Sequence, residues 1–311
     1  MKPSTQQEYE RRVLRAQQLV EAHLDETLSP TEVARSAGMS LHHFHRVFRG
    51  MTGETVMGFT RRLRLERAAR SLRDSERDVL PIALDAGYQS HEAFTRAFSE
   101  AFGVPPSTYR SLQAAPEHRR TCTVTTCPDD VVIRDEPPRD VLVLRHLGPY
   151  DTVSLVWDRL VAWYLEAGLG GEEALCMFAL VPDDPQVTAA DKLRYDACLL
   201  APAELPTLLP PGPVTRGRVP GGRYAVLRHR GPYDTLADSY LALIGAWFPQ
   251  RGHVPAPEPV VEHYLNSPAN TAPADLLTEI WVRIEERGFD LAPTRSGSPT
   301  PRAPRRNSAK P

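Results

Sequence analysis

One passage occurs twice in this chain, and that repetition constrains the fold more than any other feature. Leu144-Arg145-His146-Leu147-Gly148-Pro149-Tyr150-Asp151-Thr152 returns 83 residues later as Leu227-Arg228-His229-Arg230-Gly231-Pro232-Tyr233-Asp234-Thr235. The same offset carries Pro185 to Pro268, Leu193 to Leu276 and Asp196 to Glu279. A gapless offset over a whole unit marks a structural repeat, whose copies share one local fold and bury apolar surface against each other. Each copy reads as an apolar strand (141–144; 224–227), a Gly-Pro-Tyr turn, a helix and two more strands (174–180 and 195–200; 260–265 and 277–284). The helices carry Val153, Trp157, Leu160 and Tyr164, or Leu236, Tyr240, Leu243 and Trp247, along one face. Two such β-α-β-β units make an α+β domain with a pseudo-twofold axis and a groove between the halves.

Upstream lies a shorter repeat with helical spacing. Ala37-Gly38-Met39-Ser40-Leu41-His42-His43-Phe44-His45-Arg46-Val47-Phe48 is echoed by Ala86-Gly87-Tyr88-Gln89-Ser90-His91-Glu92-Ala93-Phe94-Thr95-Arg96-Ala97-Phe98, with one extra residue in the turn. Ser29-Pro30 supplies an N-cap and a first-turn proline, Gly38 a stop, and Ser40 the next cap. A longer amphipathic helix from about Thr55 to Leu72 joins the two units. The expected architecture is therefore an all-α tandem helix-turn-helix domain at 8–113, a linker at 114–120, the duplicated α+β domain at 121–290, and a disordered basic tail at 291–311. A length of 311 residues accommodates two domains.

Charge is segregated along these boundaries. The whole chain sums to −2, yet residues 1–115 hold 16 basic and 14 acidic side chains, residues 116–290 hold 16 and 25, and residues 291–311 hold 5 and none. The near-neutral total conceals a mildly basic reader, an acidic second domain suited to cations, and a basic tail. Nucleic-acid affinity is then expected to be modest and salt-sensitive. The N-terminus lacks the apolar core of a secretory signal, and no stretch approaches the roughly 20 apolar residues of a membrane span. Four cysteines, Cys122, Cys127, Cys176 and Cys198, are too scattered for a disulfide framework. A cytoplasmic bacterial protein without membrane association is expected, with no cofactor and no metal site, since no CxxC, P-loop, GxGxxG, GxSxG or HExxH is present. His146 and His229 recur in the same turn, which favours a structural role, and Tyr150 and Tyr233 read as caps on those turns.

The second helix-turn-helix, Gly87-Tyr88-x-Ser90-x-x-x-Phe94-x-Arg96-x-Phe98-x-x-x-Phe102-Gly103-x-x-Pro106-x-x-Tyr109-Arg110, resembles the C-terminal signature of the AraC/XylS transcription regulators. Val33-Ala34, Gly38, Ser40, Phe44, Arg46, Phe48 and Gly53 resemble that family's first unit, with Val56 standing where proline is usual. The resemblance implies promoter DNA as a partner and RNA polymerase as a further one. Each second helix would lie in a major groove, presenting His42, His45, Arg46 and Arg49, then His91, Glu92, Thr95 and Arg96. Arginine can bridge guanine O6 and N7, and glutamate can accept from cytosine N4. Arg49, Arg61, Arg62 and Arg110 are phosphate candidates; the competing reading is a solvated helix face paired with Glu54 and Glu66.

Residues 121–287 resemble the GyrI-like small-molecule-binding domain, through the duplicated His-x-Gly-Pro-Tyr-Asp-Thr, Leu193–Cys198 and Asp275–Val282. That resemblance implies a small-molecule effector, with varied and often cationic or amphiphilic ligands. In Leu277–Ile284, period-two alternation sets Ile280, Val282 and Ile284 against the helices and turns Glu279 and Trp281 the other way. Glu279 is expected at the centre of a groove with Trp281, Tyr264, Trp157, Tyr164, Tyr195, Tyr240 and Trp247, where an acid among aromatics suits a cation. For the helix aromatics the competing reading is a packed core. Two rival functions remain. One is hydrolysis by Glu279 with Tyr264 or Tyr195 as water activators. The other is a ligand-independent activator whose second domain binds protein.

Overall fold

The computed structural model of the protein describes residues 5–114, 128–171 and 175–285. The expected linker beyond Ala114, Cys122 and Cys127, and the expected tail lie outside the described residues.

Helices fill the first part: α1 (Thr5–Ala22), α2 (Pro30–Ser36), α3 (Leu41–Thr52), α4 (Val56–Asp74), α5 (Val79–Asp85), α6 (His91–Phe102) and α7 (Pro106–Ala114). Local chemistry fixes their ends. Ser29 and Glu32 form a reciprocal capping box ahead of α2, and the Ser90 hydroxyl accepts the Ala93 amide at the start of α6. Gly38 and Gly87, at φ of +63° and +82°, turn the chain between the paired helices, where a side chain would be strained. Phe44, Phe48, Phe94 and Phe98 are all fully buried, as their i, i+4 spacing requires. Helix α4 serves both units: Phe59 and Leu63 close one core with Phe44 and Phe48, and Leu65, Ala69 and Leu72 close the other with Phe94, Phe98 and Tyr109.

The second part is one antiparallel sheet of eight strands: β1 (Val132–Glu136), β2 (Arg139–Leu147), β3 (Met177–Val181), β4 (Arg194–Leu200), β5 (Thr215–Val219), β6 (Gly222–Arg230), β7 (Val260–Tyr264) and β8 (Leu277–Arg283). The order is β1-β6-β8-β7-β3-β4-β2-β5. Every strand of the first repeat maps onto the second at the sequence offset, and β1 and β5 add a strand to each expected unit. Both were missed because VIRDE and TRGRV are short and polar. These two strands are exchanged: β1 pairs with β6 of the other repeat and β5 with β2. Exchange curls the sheet and locks the repeats together.

Helix α8 (Ser154–Glu166) covers one half of the outer face. The other half is covered by α9 (Leu236–Tyr240), a π-helical stretch Leu241–Trp247 and α10 (Phe248–Arg251). The inner face buries Val141, Val143, Phe178, Cys198, Tyr224, Val226, Val261 and Trp281. His146 and His229 each sit within hydrogen-bond distance of a turn carbonyl, Pro149 at 3.1 Å and Pro232 at 3.3 Å, the structural role their recurrence implies.

The two parts meet through buried charge. Glu21 of α1 accepts from Arg145 at 2.8 Å and lies 2.9 Å from an Arg194 nitrogen. Arg145 also grips Asp196 with two bonds of 2.7 Å, and Arg194 grips Asp183 at 2.5 and 2.9 Å. Burial alone would raise the Glu21 carboxyl, but Arg145 and Arg194 outweigh it and hold it below the usual range. Removing one partner from such a set costs more than removing a bridge that leaves neutral pairs behind. Arg145→Met, which strands Asp196, should destabilise by about 3–5 kcal/mol. Glu21→Gln leaves Arg145–Asp196 and Arg194–Asp183 intact and should cost roughly 1 kcal/mol. Urea midpoints of the full chain order the two, and the reverse order would refute this account.

Candidate functional site

The centre of the sheet is the Ala179–Glu262 cross-strand pair. These positions are 83 residues apart, so each is the other's repeat equivalent, and the pseudo-twofold axis passes between them. Period-two alternation turns Glu262 and Tyr264 to the outer face, into the groove between α8 and α9. One repeat supplies alanine and hence space; the other supplies a carboxylate.

Among the described residues, tyrosine hydroxyls alone hydrogen-bond that carboxylate. Tyr240 donates to Glu262 Oε1 at 2.7 Å, and Tyr264 donates to Oε2. Behind them Trp157 Nε1 donates to the Tyr195 hydroxyl at 2.9 Å, which lies 2.7 Å from that of Tyr264. The rings of Trp157 and Tyr233 stand edge-on to Tyr264, with centroids 5.6 and 5.5 Å away. Glu262 is 6% exposed, and among the described residues no arginine or lysine pairs with it. Burial therefore raises its carboxyl, against the opposing tyrosine hydrogen bonds. Burial also pushes Tyr195, Tyr240 and Tyr264 up, so all three remain neutral donors at pH 7. An unpaired buried carboxylate walled by aromatic rings is a receptor for positive charge.

Of the eight residues expected around the effector, Trp157, Tyr195, Tyr240 and Tyr264 converge here. Tyr164 and Trp247 are core: the Tyr164 hydroxyl donates to the Leu169 carbonyl, and Trp247 stacks on His253. Tyr150 caps as expected, its hydroxyl donating to the Asp183 and Arg194 carbonyls. Tyr233 departs from that reading by facing the cage. Glu279 and Trp281 are corrections: both lie on the inner face, remote from the groove. Glu279 accepts from Arg134 at 2.7 Å, Arg228 at 3.0 Å and Trp281 Nε1 at 3.0 Å. His263 beside it, with Arg134, Arg228 and Trp281, holds the carboxyl far below the usual range despite its burial. Such a carboxylate is neither a free cation receptor nor a general base, which removes it from the hydrolytic reading.

On the helical domain, α3 exposes His42, Arg46 and Arg49 with His45 half-buried, and α6 exposes His91, Glu92 and Arg96 with Thr95 half-buried. The Arg46 and Arg49 side chains make no hydrogen bond or ion pair with another described residue. Glu92 is held by its own amide and the Ser90 hydroxyl at the helix start, which lowers its carboxyl. The phosphate candidates divide. Arg62 is spent on Glu54 at 2.8 Å and Glu66 at 3.1 Å, and Arg110 on the Leu72 and Arg77 carbonyls. Both are structural, because buried acceptors left unpaired would be costly. Arg61 pairs with Glu100 at 2.7 Å but stays half exposed.

Residues 129–285, half of the chain, match the GyrI-like small molecule binding domain. The chain belongs to the GyrI-like family. Residues 33–111 match a helix-turn-helix domain of AraC type. The probable transcriptional regulator YgiV of Escherichia coli is 29% identical over 155 residues, covering 50% of this chain and 96% of YgiV. The Right origin-binding protein of Escherichia coli is 41% identical over 91 residues, 29% of this chain and 32% of that protein. Regulatory protein SoxS of Escherichia coli is 38% identical over 91 residues, 29% of this chain and 85% of SoxS. The chain thus spans nearly all of YgiV and about a third of the Right origin-binding protein. A solved hydrolase from Listeria innocua is 13% identical, covering 52% of this chain and 94% of its own, with a TM-score of 0.38.

Within this GyrI-like domain the sequence reading missed Glu262, although a signal was present. The alternation that aims Tyr264 at the groove aims its i−2 neighbour there too. Glu262 also yields a stability prediction. A carboxyl raised by burial stabilises the fold fully below the usual carboxylate range, and that contribution is lost as pH rises through the raised value. Glu262→Gln should therefore raise the melting temperature at pH 7, by about 2–4 °C per kcal/mol of relieved desolvation. The gain should shrink as pH falls below the usual carboxylate range. Calorimetry across pH checks both signs.

Proposed function

We propose that this protein is a DNA-binding transcription regulator, with α3 and α6 as reading helices, whose GyrI-like domain takes a small organic cation in the cage around Glu262. The carrying observation is the buried Glu262 carboxylate, hydrogen-bonded among the described residues only by tyrosines and surrounded by Trp157, Tyr195, Tyr233, Tyr240 and Tyr264. A desolvated carboxylate without a cation favours a ligand that brings one, and ring faces add cation–π attraction. Flat aromatic walls further suit an amphiphilic ligand with an apolar body. Promoter DNA as partner rests on the unpaired arginines of the reading helices and on the likeness to named regulators.

A thermal-shift titration of the full chain with benzyltrimethylammonium and its neutral isostere tests the ligand class. The cation at 100 times its dissociation constant should add about 2.7 kcal/mol. The neutral isostere should give no shift, and Glu262→Gln should weaken cation binding by about tenfold or more, about 1.4 kcal/mol. Equal shifts from both compounds would refute the charge reading.

On the DNA side, Arg46→Ala should cost about 1–3 kcal/mol and relax preference at one base position. Arg62→Ala should instead lower folding stability, through the unpaired Glu66, and leave base preference unchanged. Binding titrations against an operator and its single-base variants, with melting curves, separate the two.

A further inference from the structure

The inner face of the sheet carries a second cluster that the cation cage does not use. Cys176, just before β3, His263 on β7 and Glu279 on β8 lie side by side across adjacent strands; His263 and Glu279 are direct cross-strand partners. Cys176 Sγ is 3.6 Å from His263 Nε2, and His263 Nδ1 is 3.6 Å from Glu279 Oε2. Trp281 Nε1, Arg134 and Arg228 fix the carboxylate. Phe178 stacks on the imidazole at 4.5 Å and 16°, and Trp281 meets it edge-on at 5.4 Å, so the ring is clamped on both sides. His263 Nδ1 is buried and has no hydrogen-bond partner among the described residues. We propose that Cys176, with His263 and Glu279, forms a covalent-modification site for α,β-unsaturated carbonyl compounds, separate from the cation cage on the opposite face.

The arrangement is that of an activated thiol. A carboxylate beside Nδ1 keeps the proton there and leaves Nε2 free to accept from the thiol. Burial alone would lower the imidazole, but Cys176 and Glu279 outweigh it and raise it, which makes His263 a better acceptor for the thiol proton. Around the Glu279 carboxylate stand Arg134 and Arg228, with Glu136 paired in turn to Arg134 and Arg139. The same arginines disfavour a metal dication at this cluster.

Access is on the rim: the Arg228 side chain is 59% exposed and that of Arg134 36%, with Cys176 partly exposed. In the reaction, the thiol proton passes to His263 Nε2 and the thiolate sulfur bonds the β-carbon. The π electrons move to the carbonyl oxygen, and the imidazolium returns the proton to the α-carbon. The sum is addition of S–H across the double bond, with no oxidant required. Phe178 and Trp281 supply an apolar wall beside the imidazole. Buried Cys198, whose thiol burial pushes up, serves as the internal contrast.

Acrylamide addition to the full chain, mapped to each cysteine by peptide mass spectrometry from pH 5 to 9.5, tests the site. At pH 7 the Cys176 rate should exceed that of a free cysteine thiol by about threefold or more. In His263→Gln it should fall by about the same factor, because the thiol loses its proton acceptor. Glu279→Gln should slow the addition as well. Circular dichroism establishes that each variant folds, and if neither does, the wild-type rate decides. A wild-type rate no faster than that of free cysteine, or an unchanged rate in folded His263→Gln, would overturn the proposal.

Discussion

The Ala179–Glu262 pair is the point on which the second domain turns. A duplicated fold places two copies of each position around one axis, and exchange of β1 and β5 holds that axis at the middle of a single sheet. Symmetry makes the groove; departure from symmetry makes the site. Two carboxylates would repel each other across so short a cross-strand separation, and two alanines would bind nothing charged. The remaining cage obeys the same logic. Trp157 and Tyr240 are repeat equivalents and frame the groove from both helices, whereas Tyr195 and Tyr264 face Thr278 and Val181 as equivalents and so thicken only one wall.

Two glutamates on neighbouring strands show how surroundings set chemistry. Glu262 has tyrosines and no cation, so burial lifts its carboxyl. Glu279 has two arginines, a histidine and an indole N–H, so its carboxyl falls. One retains electrostatic demand for a partner from outside; the other has spent that demand inside the protein, on Arg134, Arg228 and Trp281. Opposite faces of one sheet thereby acquire opposite electrostatics.

The cage is joined to the helical domain by contiguous contacts, one between aromatic rings and the rest polar. Tyr150, whose ring lies 6.2 Å from that of Tyr195, donates to the Asp183 and Arg194 carbonyls. The Asp183 carboxylate holds Arg194, and Arg194 reaches Glu21 of α1. Arg73 and Lys192 bind across the same seam, to Asp184 at 2.5 Å and to the Thr52 carbonyl at 2.9 Å. Contiguity provides a path; linkage further requires a ligand that stabilises one of two arrangements of it.

Local rules made much of this legible in advance, and they failed where the decision was tertiary. Helix ends, the four buried phenylalanines and the gapless repeat follow from caps, spacing and offset. Choosing between Glu262 and Glu279 needed the curl of the sheet, because both are acids in apolar strands and alternation states only that they face opposite ways. The arginines of α4 posed the same difficulty. Arg62 was a phosphate candidate, yet Arg62 and Arg64 hold carboxylates and carbonyls of the helical domain, and Arg70 and Arg73 reach Pro182 and Asp184 of the other. An arginine buried against a fixed acceptor cannot turn to a phosphate without stranding that acceptor. The proposed reading helices, α3 and α6, therefore keep Arg46, Arg49 and Arg96 exposed among the described residues. Phosphate contacts position a protein on DNA, and base-edge contacts carry the discrimination between one sequence and another.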